Sequence, residues 1–517
     1  MSWLMYIAIA AFSLLALAYY KIKKTFRHFK DRNIPYVEPT FPLGSEPQGV
    51  LFRKHIVDSF GEIYNQLEGK PVGGFFQTVL PFLMICDPEY VHQVLISSFD
   101  HFFDRNFLVD EKVNPLDAHL FFLRGNKWRY LRNKLSPIFS GVKLRWMFEE
   151  MEKCGESFVE CFDKLADGKD RDVLDELARY ATDVIGSCAF GLEGDSLKNP
   201  NSPMRQMGKD LFDTSSINRT QITFLLRFSV PRLLLWFKVR SLPSAIEEYF
   251  CSTISSVLER RRKTGLKRRD FVQLLLQLKE KDVVNIDAND VDEKEDKSQQ
   301  NNDIEKFEIT DRLLMAQSFV FFVAGFETTS RTLHYLIYQL AQHPEIQERA
   351  RQEVLAVKEK HGQFSYDALK DLKFLDNCIS ETLRMYPPLG VLNRECTKDF
   401  KFQDGTSVKK GEQIVIPIYS LQRDPKYFPE PTKYNPDRFA SDPQRGTYLP
   451  FGDGPRICIG KRFALVEIKI VMARLLERYS FEPSSLNKEP IELNPWINVL
   501  CAKNGLFVKI QKLNNSK

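Results

Sequence analysis

The segment Phe451-Gly452-Asp453-Gly454-Pro455-Arg456-Ile457-Cys458-Ile459-Gly460, followed at once by a helical pattern, constrains this chain more than any other stretch. Its glycines permit a tight loop whose backbone amides are free to point inward, towards the cysteine sulfur. Those amides, with the positive end of the following helix, favour a thiolate over a thiol. A cysteine is ordinarily a small buried hydrophobe, and that is the expectation for the other eight. All nine are scattered, odd in number and without a C-x-x-C pair. This argues against a disulfide framework or a structural zinc site and fits a reducing compartment. Cys458 alone sits in a setting built to hold sulfur as an anion.

The N-terminus sets a second constraint. Residues Trp3 to Tyr20 carry no charge, and only Ser13 breaks the apolar and aromatic run. About 18 such residues lie at the short end of what crosses a bilayer. Lys21, Lys23, Lys24, Arg27 and Lys30 follow, whereas only Met1 and Ser2 precede. A basic flank of this kind stays cytosolic and carries the rest of the chain with it. Ala16-Leu17-Ala18 mimics a signal-peptide cleavage site, but the run length and the basic C-terminal flank favour a retained anchor. Pro35, Pro39, Pro42 and Pro47 then fix backbone angles and disfavour helix, so a stiff extended hinge is expected. The expected organisation is an anchor at 1–20, a basic and proline-rich hinge at 21–49, and one catalytic domain at 50–517.

From about residue 50 to 280 apolar residues recur at three-and-four spacing, which predicts helices. Asp282 to Glu308 is acidic and amide-rich and reads as a solvated, mobile loop. Thr310 and Asp311 form an N-cap signal, after which a helical pattern runs without proline to Pro344. Phe400 to Ile418, punctuated by Gly405 and Gly411, reads as short strands and turns. A final helix is expected from Lys461 to the region of Glu477. Lys plus Arg total 73 against 68 for Asp plus Glu, with no basic stripe, so no nucleic-acid partner is indicated. Eight scattered histidines include no H-E-x-x-H, which excludes the common metal hydrolases.

Three weaker motifs accompany the cysteine loop. Glu381 and Arg384, three apart on LDNCISETLRMYPP, share a helix face, although such pairs are mostly solvated and worth little. Ala324-Gly325-Phe326-Glu327-Thr328-Thr329 places polar groups in an apolar wall, where a threonine hydroxyl can bond the carbonyl four residues back and loosen the helix. Trp128 and Arg132 share a face of a basic amphipathic helix. In this order and together, the four resemble the cytochrome P-450 superfamily, over nearly the whole chain after the hinge. The loop resembles that family's F-x-x-G-x-R-x-C-x-G signature at every fixed position. Glu381 and Arg384 resemble its E-x-x-R element, with Arg438 of Pro436-Asp437-Arg438-Phe439 as the third, structural partner. Val391 to Asp399 and FFVAGFETTS look most like insect microsomal detoxification enzymes.

The resemblance implies a mainly α fold with small β-sheets, preceded by the transmembrane helix, in the endoplasmic reticulum membrane with the catalytic domain on the cytosolic face. It implies a b-type haem ligated by Cys458, with no C-x-x-C-H for a covalent attachment. The two haem propionates are expected to be held by Trp128, Arg132, Arg394 and Arg456, with Arg105 as a further partner. Thr328 is expected to relay a proton on the oxygen side, fed through water by Glu327. Phe321, Ala324 and Thr328 fall on one helix face towards a small lipophilic substrate. Leu389, Val391, the loop Phe107 to Phe122 and residues near Leu500 resemble the family's substrate-contacting positions. The apolar stretch Phe224 to Phe237 is either a buried helix pair or a segment dipping into the bilayer. The chain has no nucleotide-binding unit of its own. The resemblance therefore implies electrons from an NADPH-dependent flavoprotein reductase, with a b-type electron-transfer cytochrome as a further candidate partner. Lys127, Arg129, Lys134, Lys143, Lys461 and Arg462 are candidates for the docking face. The competing readings are a same-fold biosynthetic hydroxylase or peroxide isomerase, and a non-catalytic haem-binding protein.

Overall fold

The computed structural model describes residues 2–192, 194–212, 222–223, 226–227, 231–281 and 307–513. The acidic stretch read as a loop lies outside these residues, apart from Phe307 and Glu308. Within the first half of the apolar stretch Phe224 to Phe237, only residues 226 and 227 are described.

The longer described helices include α1 (Ser2–Thr25), α2 (Gly125–Leu135), α3 (Gly141–Phe162), α4 (Leu174–Ile185), α5 (Ser244–Thr264), α6 (Asp311–Gln342), α7 (Pro344–His361), α8 (Lys373–Met385) and α9 (Lys461–Arg478). Helix α1 is exposed from Trp3 to Tyr20. At about 1.5 Å per residue its 24 residues reach about 36 Å, long enough to cross a bilayer. Helix α6 is also apolar enough to span, but it runs through the protein core. Its start is as expected, with the Thr310 side chain accepting from Leu313 N at 3.2 Å. Between Glu327 and Ala341 only Thr328 is not buried. A helix enclosed on all sides has no polar face, and here the neighbours include α4, α8 and α9.

The strands of the two larger sheets are β1 (Val72–Gln77), β2 (Leu80–Ile85), β3 (Asp170–Asp172), β4 (Leu392–Glu395), β5 (Gln413–Ile416), β6 (Tyr479–Pro483) and β7 (Phe507–Lys512). They form sheets of order β1-β2-β5-β4 and β3-β7-β6. Strand β2 is antiparallel to β1, with Phe75 opposite Phe82, and parallel to β5. The helical expectation for residues 50–280 fails at β1 and β2, because both faces of this hairpin are covered. Val72, Phe76, Leu83 and Ile85 enter one apolar cluster, while Phe75, Phe82 and Met84 enter another. A strand apolar on both sides shows no alternation to read.

The segment expected as a stiff extended hinge packs against this sheet. Phe29 is 1% exposed, its ring 5.2 Å from that of Phe76. Val37 N donates to Gly74 O at 2.9 Å, and Gly74 N to Pro35 O at 2.7 Å. A Cβ on Gly74 would fall 2.4 Å from the Phe29 ring, so glycine is what permits this approach. His28 and Arg32 both engage Glu412, beside the start of β5. The segment after α1 is therefore docked on the sheet, its prolines setting the path along it.

Candidate functional site

The cysteine loop is a tight, hydrogen-bonded turn. Gly452 and Gly454 both take positive φ, and a Cβ on Gly454 would strike Leu95 O at 2.0 Å. Cys458 N donates to Phe451 O at 2.8 Å, and Asp453 caps Gly454 N at 2.7 Å. Helix α9 starts three residues beyond the sulfur. All nine cysteines are free, and Cys458 is the exposed one; six are buried and two half-buried. Its exposure is to an internal cavity of about 280 Å³, not to the outer surface. Removal from bulk water pushes the Cys458 thiol up, while the Gly460 amide and the cations of Arg132, Arg105 and Lys461 pull it back.

Helix α6 supplies another wall of this cavity. Phe321, Ala324 and Thr328 line it together, as their spacing predicts. Thr328 Oγ1 donates to Ala324 O at 2.7 Å, the bond to the carbonyl four residues back that the sequence suggested. Leu120, Phe121, Leu389 and Val391 complete a largely apolar space. Gln317 fixes the loop before α2, accepting from Leu120 N at 2.9 Å and donating to Ala118 O at 3.0 Å. Leu500, in contrast, is fully buried against Val57 and Leu493 and does not line the cavity.

Trp128, Arg132, Arg105 and Arg456 also line the cavity. The Arg456 guanidinium lies 4.0 Å from the Trp128 ring and donates to Leu123 O at 3.0 Å. Burial, then repulsion from Arg394, brings Arg456 down to about 9. Burial alone brings Arg394 to about 10 and lowers Arg132, while Arg105 is lowered by burial and by the other three arginines. Arg394 is not a lining residue. It sits fully buried next to lining Asn393, with Nε and Nη2 unpartnered, as is Nη1 of Arg456. Among the described residues no carboxylate lies in ion-pair range of Arg105, Arg132 or Arg394. Buried cations with spare N–H groups require an anion. This donor set, at or beside a largely apolar cavity that also holds the Cys458 sulfur, fits an apolar group carrying carboxylates, as the haem does.

The Glu381–Arg384 pair is not the solvated pair that its spacing alone suggested. Both side chains are completely buried, with Arg384 Nε to Glu381 Oε2 at 2.6 Å and Nη2 to Oε1 at 2.9 Å. Arg438 Nε donates to Glu381 Oε1 at 3.0 Å, completing the expected triad. Arg384 Nη1 donates to Gln422 O at 2.8 Å, and Gln422 Oε1 accepts from Leu449 N at 2.8 Å. The triad is thereby tied to the chain two residues before Phe451.

Glu327 and Lys143 stand apart from the other predicted residues. Glu327 does not face the cavity: it is 4% exposed, and Arg331 Nε donates to its Oε1 at 2.8 Å. Lys143 does not belong to a docking face: it is 2% exposed, with Nζ 3.5 Å from the Trp146 ring centroid. Lys127 pairs with Glu111, and Arg129 with Asp100 at 2.9 Å. The sequence reading also missed Asp104, Arg124 and Glu395. Arg124 is gripped by Glu395 at 2.7 and 2.8 Å, and Asp104 reaches both Arg124 and Arg456. No local spacing links these residues, which meet only where the loop before α2 crosses β4.

The family model described as Cytochrome P450 matches residues 48–510. The chain is 34% identical to Probable cytochrome P450 6a14 of Drosophila melanogaster, over 96% of this chain and 98% of that one. It is 33% identical to Cytochrome P450 6a2 of the same species, over 99% of each chain. To Cytochrome P450 9e2 of Blattella germanica it is 34% identical, over 98% of each.

Proposed function

The chain belongs to the cytochrome P450 family of haem-thiolate monooxygenases, and from that membership we propose that it hydroxylates small lipophilic substrates, xenobiotic or endogenous. The cofactor in this reading is haem b, ligated by Cys458. One observation carries it: the single exposed cysteine opens into an apolar cavity beside buried arginine N–H groups that have no acceptor among the described residues. Trp128, Arg132, Arg394 and Arg456 would hold the propionates, assisted by Arg105. When bound, the haem supplies oxygen activation, which an anionic sulfur ligand favours by promoting O–O cleavage. The α6 wall excludes water and orients the substrate with Phe321 and Ala324. Thr328 holds a proton at its Oγ1, on the cavity surface, with Glu327 as its source.

The expected result for Thr328→Ala is uncoupling. NADPH oxidation continues while product per NADPH falls about 10-fold or more, general-acid groups contributing about 10²–10⁴ to rate. The assay uses the reductase-reconstituted enzyme and counts one labelled oxygen atom from O2 in the product. Unchanged coupling would remove Thr328 from the mechanism. Absence of reductase-dependent oxygen incorporation with the intact chain would remove the reading itself, in favour of the isomerase or binding-protein alternatives.

The proposed setting is the endoplasmic reticulum membrane, catalytic domain on the cytosolic face, with an NADPH-dependent flavoprotein reductase as electron donor and a b-type cytochrome as a second donor. Exposed Lys461 and Arg462, next to the cysteine loop, support a basic docking face. A second membrane contact is supported by Leu233, Trp236 and Phe237, which are 49%, 75% and 63% exposed. Apolar side chains grouped in this way favour the bilayer over the buried-pair alternative. With residues 2–25 deleted, Trp236→Ser/Phe237→Ser is expected to weaken vesicle binding about 10-fold or more, from about 1.5–3 kcal/mol of lost apolar burial. Equal sedimentation with vesicles before and after the substitutions would exclude that contact.

A further inference from the structure

The lining face of α6 extends one turn before Phe321 to a buried polar residue. Gln317, Phe321, Ala324 and Thr328 recur at helical spacing, so they share one stripe, and all four line the cavity. Gln317 is 1% exposed, and a buried amide is costly unless its polar atoms are paired. Here they are. Its Oε1 accepts from Leu120 N at 2.9 Å, while Nε2 donates to Ala118 O at 3.0 Å and to Leu313 O at 3.2 Å. Two of these bonds grip the backbone of the loop before α2, one at a carbonyl and one at an amide, as a neighbouring strand would. The grip is independent of the loop's side chains, and those of Leu120 and Phe121 belong to the cavity lining. Other bonds hold the loop on either side of this point. Asn114 accepts from Ser241 N at 2.7 Å and donates to Val239 O at 3.2 Å, and Asp117 pairs with Arg227. Arg105 Nη1 donates to Phe121 O at 3.1 Å. Gln317 secures the stretch between them from the opposite wall of the cavity.

We propose that Gln317 is a positioning residue that sets substrate specificity, by holding Leu120 and Phe121 as a preformed wall of the cavity. This role rests on the reading of the cavity as the haem and substrate site. A wall already in place costs no ordering when a ligand binds, whereas a loose loop must first be fixed. The gap between this wall and the α6 stripe is therefore set before binding, and it favours molecules that fill it without deforming it. Phe121 and Phe321 both line the cavity, and aromatic rings pack well on one another. The class selected is compact lipophiles that carry an aromatic ring. Without the amide, Leu120 N and Ala118 O lose their partner, and the wall between Asp117 and Phe121 is free to move.

The test titrates the full-length, haem-loaded ferric enzyme with imidazole and with 4-phenylimidazole, read from the absorption spectrum. The two probes share the coordinating ring, and only the second has an aromatic arm to pack in the cavity. Gln317→Met keeps the length of the side chain but has no N–H donor and no strong acceptor. Its affinity for 4-phenylimidazole is expected to fall about 10-fold while that for imidazole stays within about 2-fold, because the lost bonds act only through the wall. Hydrogen exchange supplies a second readout. In Gln317→Met, residues 116–123 are expected to exchange about 10-fold faster, with α9 and the β1–β2 hairpin unchanged. Equal loss for both probes, faster exchange throughout the molecule, or a variant indistinguishable from wild type overturns the proposal. Should Gln317→Met fail to load haem, the wild-type enzyme decides. A preformed wall requires slow exchange at the Leu120 amide before any ligand is added, and exchange at the rate of a free loop amide overturns the role. If the wild-type protein shows neither an imidazole shift nor the carbon-monoxide band, the haem reading itself falls. If it shows both and Gln317→Met changes nothing, the Gln317 role falls alone.

Discussion

Cys458→Ser is expected to abolish the thiolate-type band in the difference spectrum of the reduced, carbon-monoxide-treated protein, together with all reductase-dependent hydroxylation. A serine hydroxyl stays neutral where a cysteine ionises, and it lacks the soft, electron-rich sulfur that favours O–O cleavage. The local geometry is expected to survive, because the loop is held by Gly452, Gly454 and backbone bonds that do not involve the sulfur. Haem content measured beside the spectrum separates loss of the ligand from loss of the fold. Cys188→Ala and Cys378→Ala are the controls: both thiols are fully buried, and burial pushes Cys378 well above the ordinary thiol range. Those variants should keep the band. A band that persists in Cys458→Ser would mean that another residue ligates the iron.

The largest effect on stability is expected from Glu381→Ala or Arg384→Ala. Neither side chain has any exposure, so removing one leaves the other charged and dry. Breaking a buried pair in this way costs about 3–5 kcal/mol, against about 5–15 kcal/mol for the stability of a whole protein. The loss is compounded here because Arg384 also serves Gln422 O and Pro431 O, at 2.8 and 2.9 Å. Either variant should accumulate little haem-loaded protein, read as carbon-monoxide-binding protein per total protein, and its thermal midpoint should fall sharply. Arg384→Lys keeps a charge but cannot make the forked contact, so an intermediate loss is expected. Arg438→Ala should cost less, its side chain being 13% exposed. Wild-type melting of Glu381→Ala would show that the triad does not lock the loop.

Periodicity and local chemistry make a large part of this protein legible in its sequence. The Thr310 cap, the long helix behind it, the lining face of Phe321, Ala324 and Thr328, and the turn at Cys458 each depend on residues a few positions apart. Local backbone geometry determines such features, so they are written in local order. The same holds for the exposed apolar run of α1.

Other features depend on which surfaces meet, and no spacing encodes that. The hairpin β1–β2 looked helical because it is covered on both faces, one of them by the segment around Phe29. Glu381 and Arg384 had the right spacing, but only enclosure by residues 422–449 makes them a buried lock. Glu327 stood next to Thr328 in order, yet one residue along a helix is a turn of about 100°, enough to place it behind the wall with Arg331. Asp104, Arg124, Glu395 and Arg456 come from distant segments and meet only in the folded chain.

Sequence by itself determined the tight turn at Cys458, the helix face that shares its cavity and the exposed apolar run of α1, because these follow from short-range backbone rules. Tertiary structure alone decided which charges are dry and which carboxylate is held away from the cavity. Burial sets the cost of a charge, and burial is a property of the packed whole.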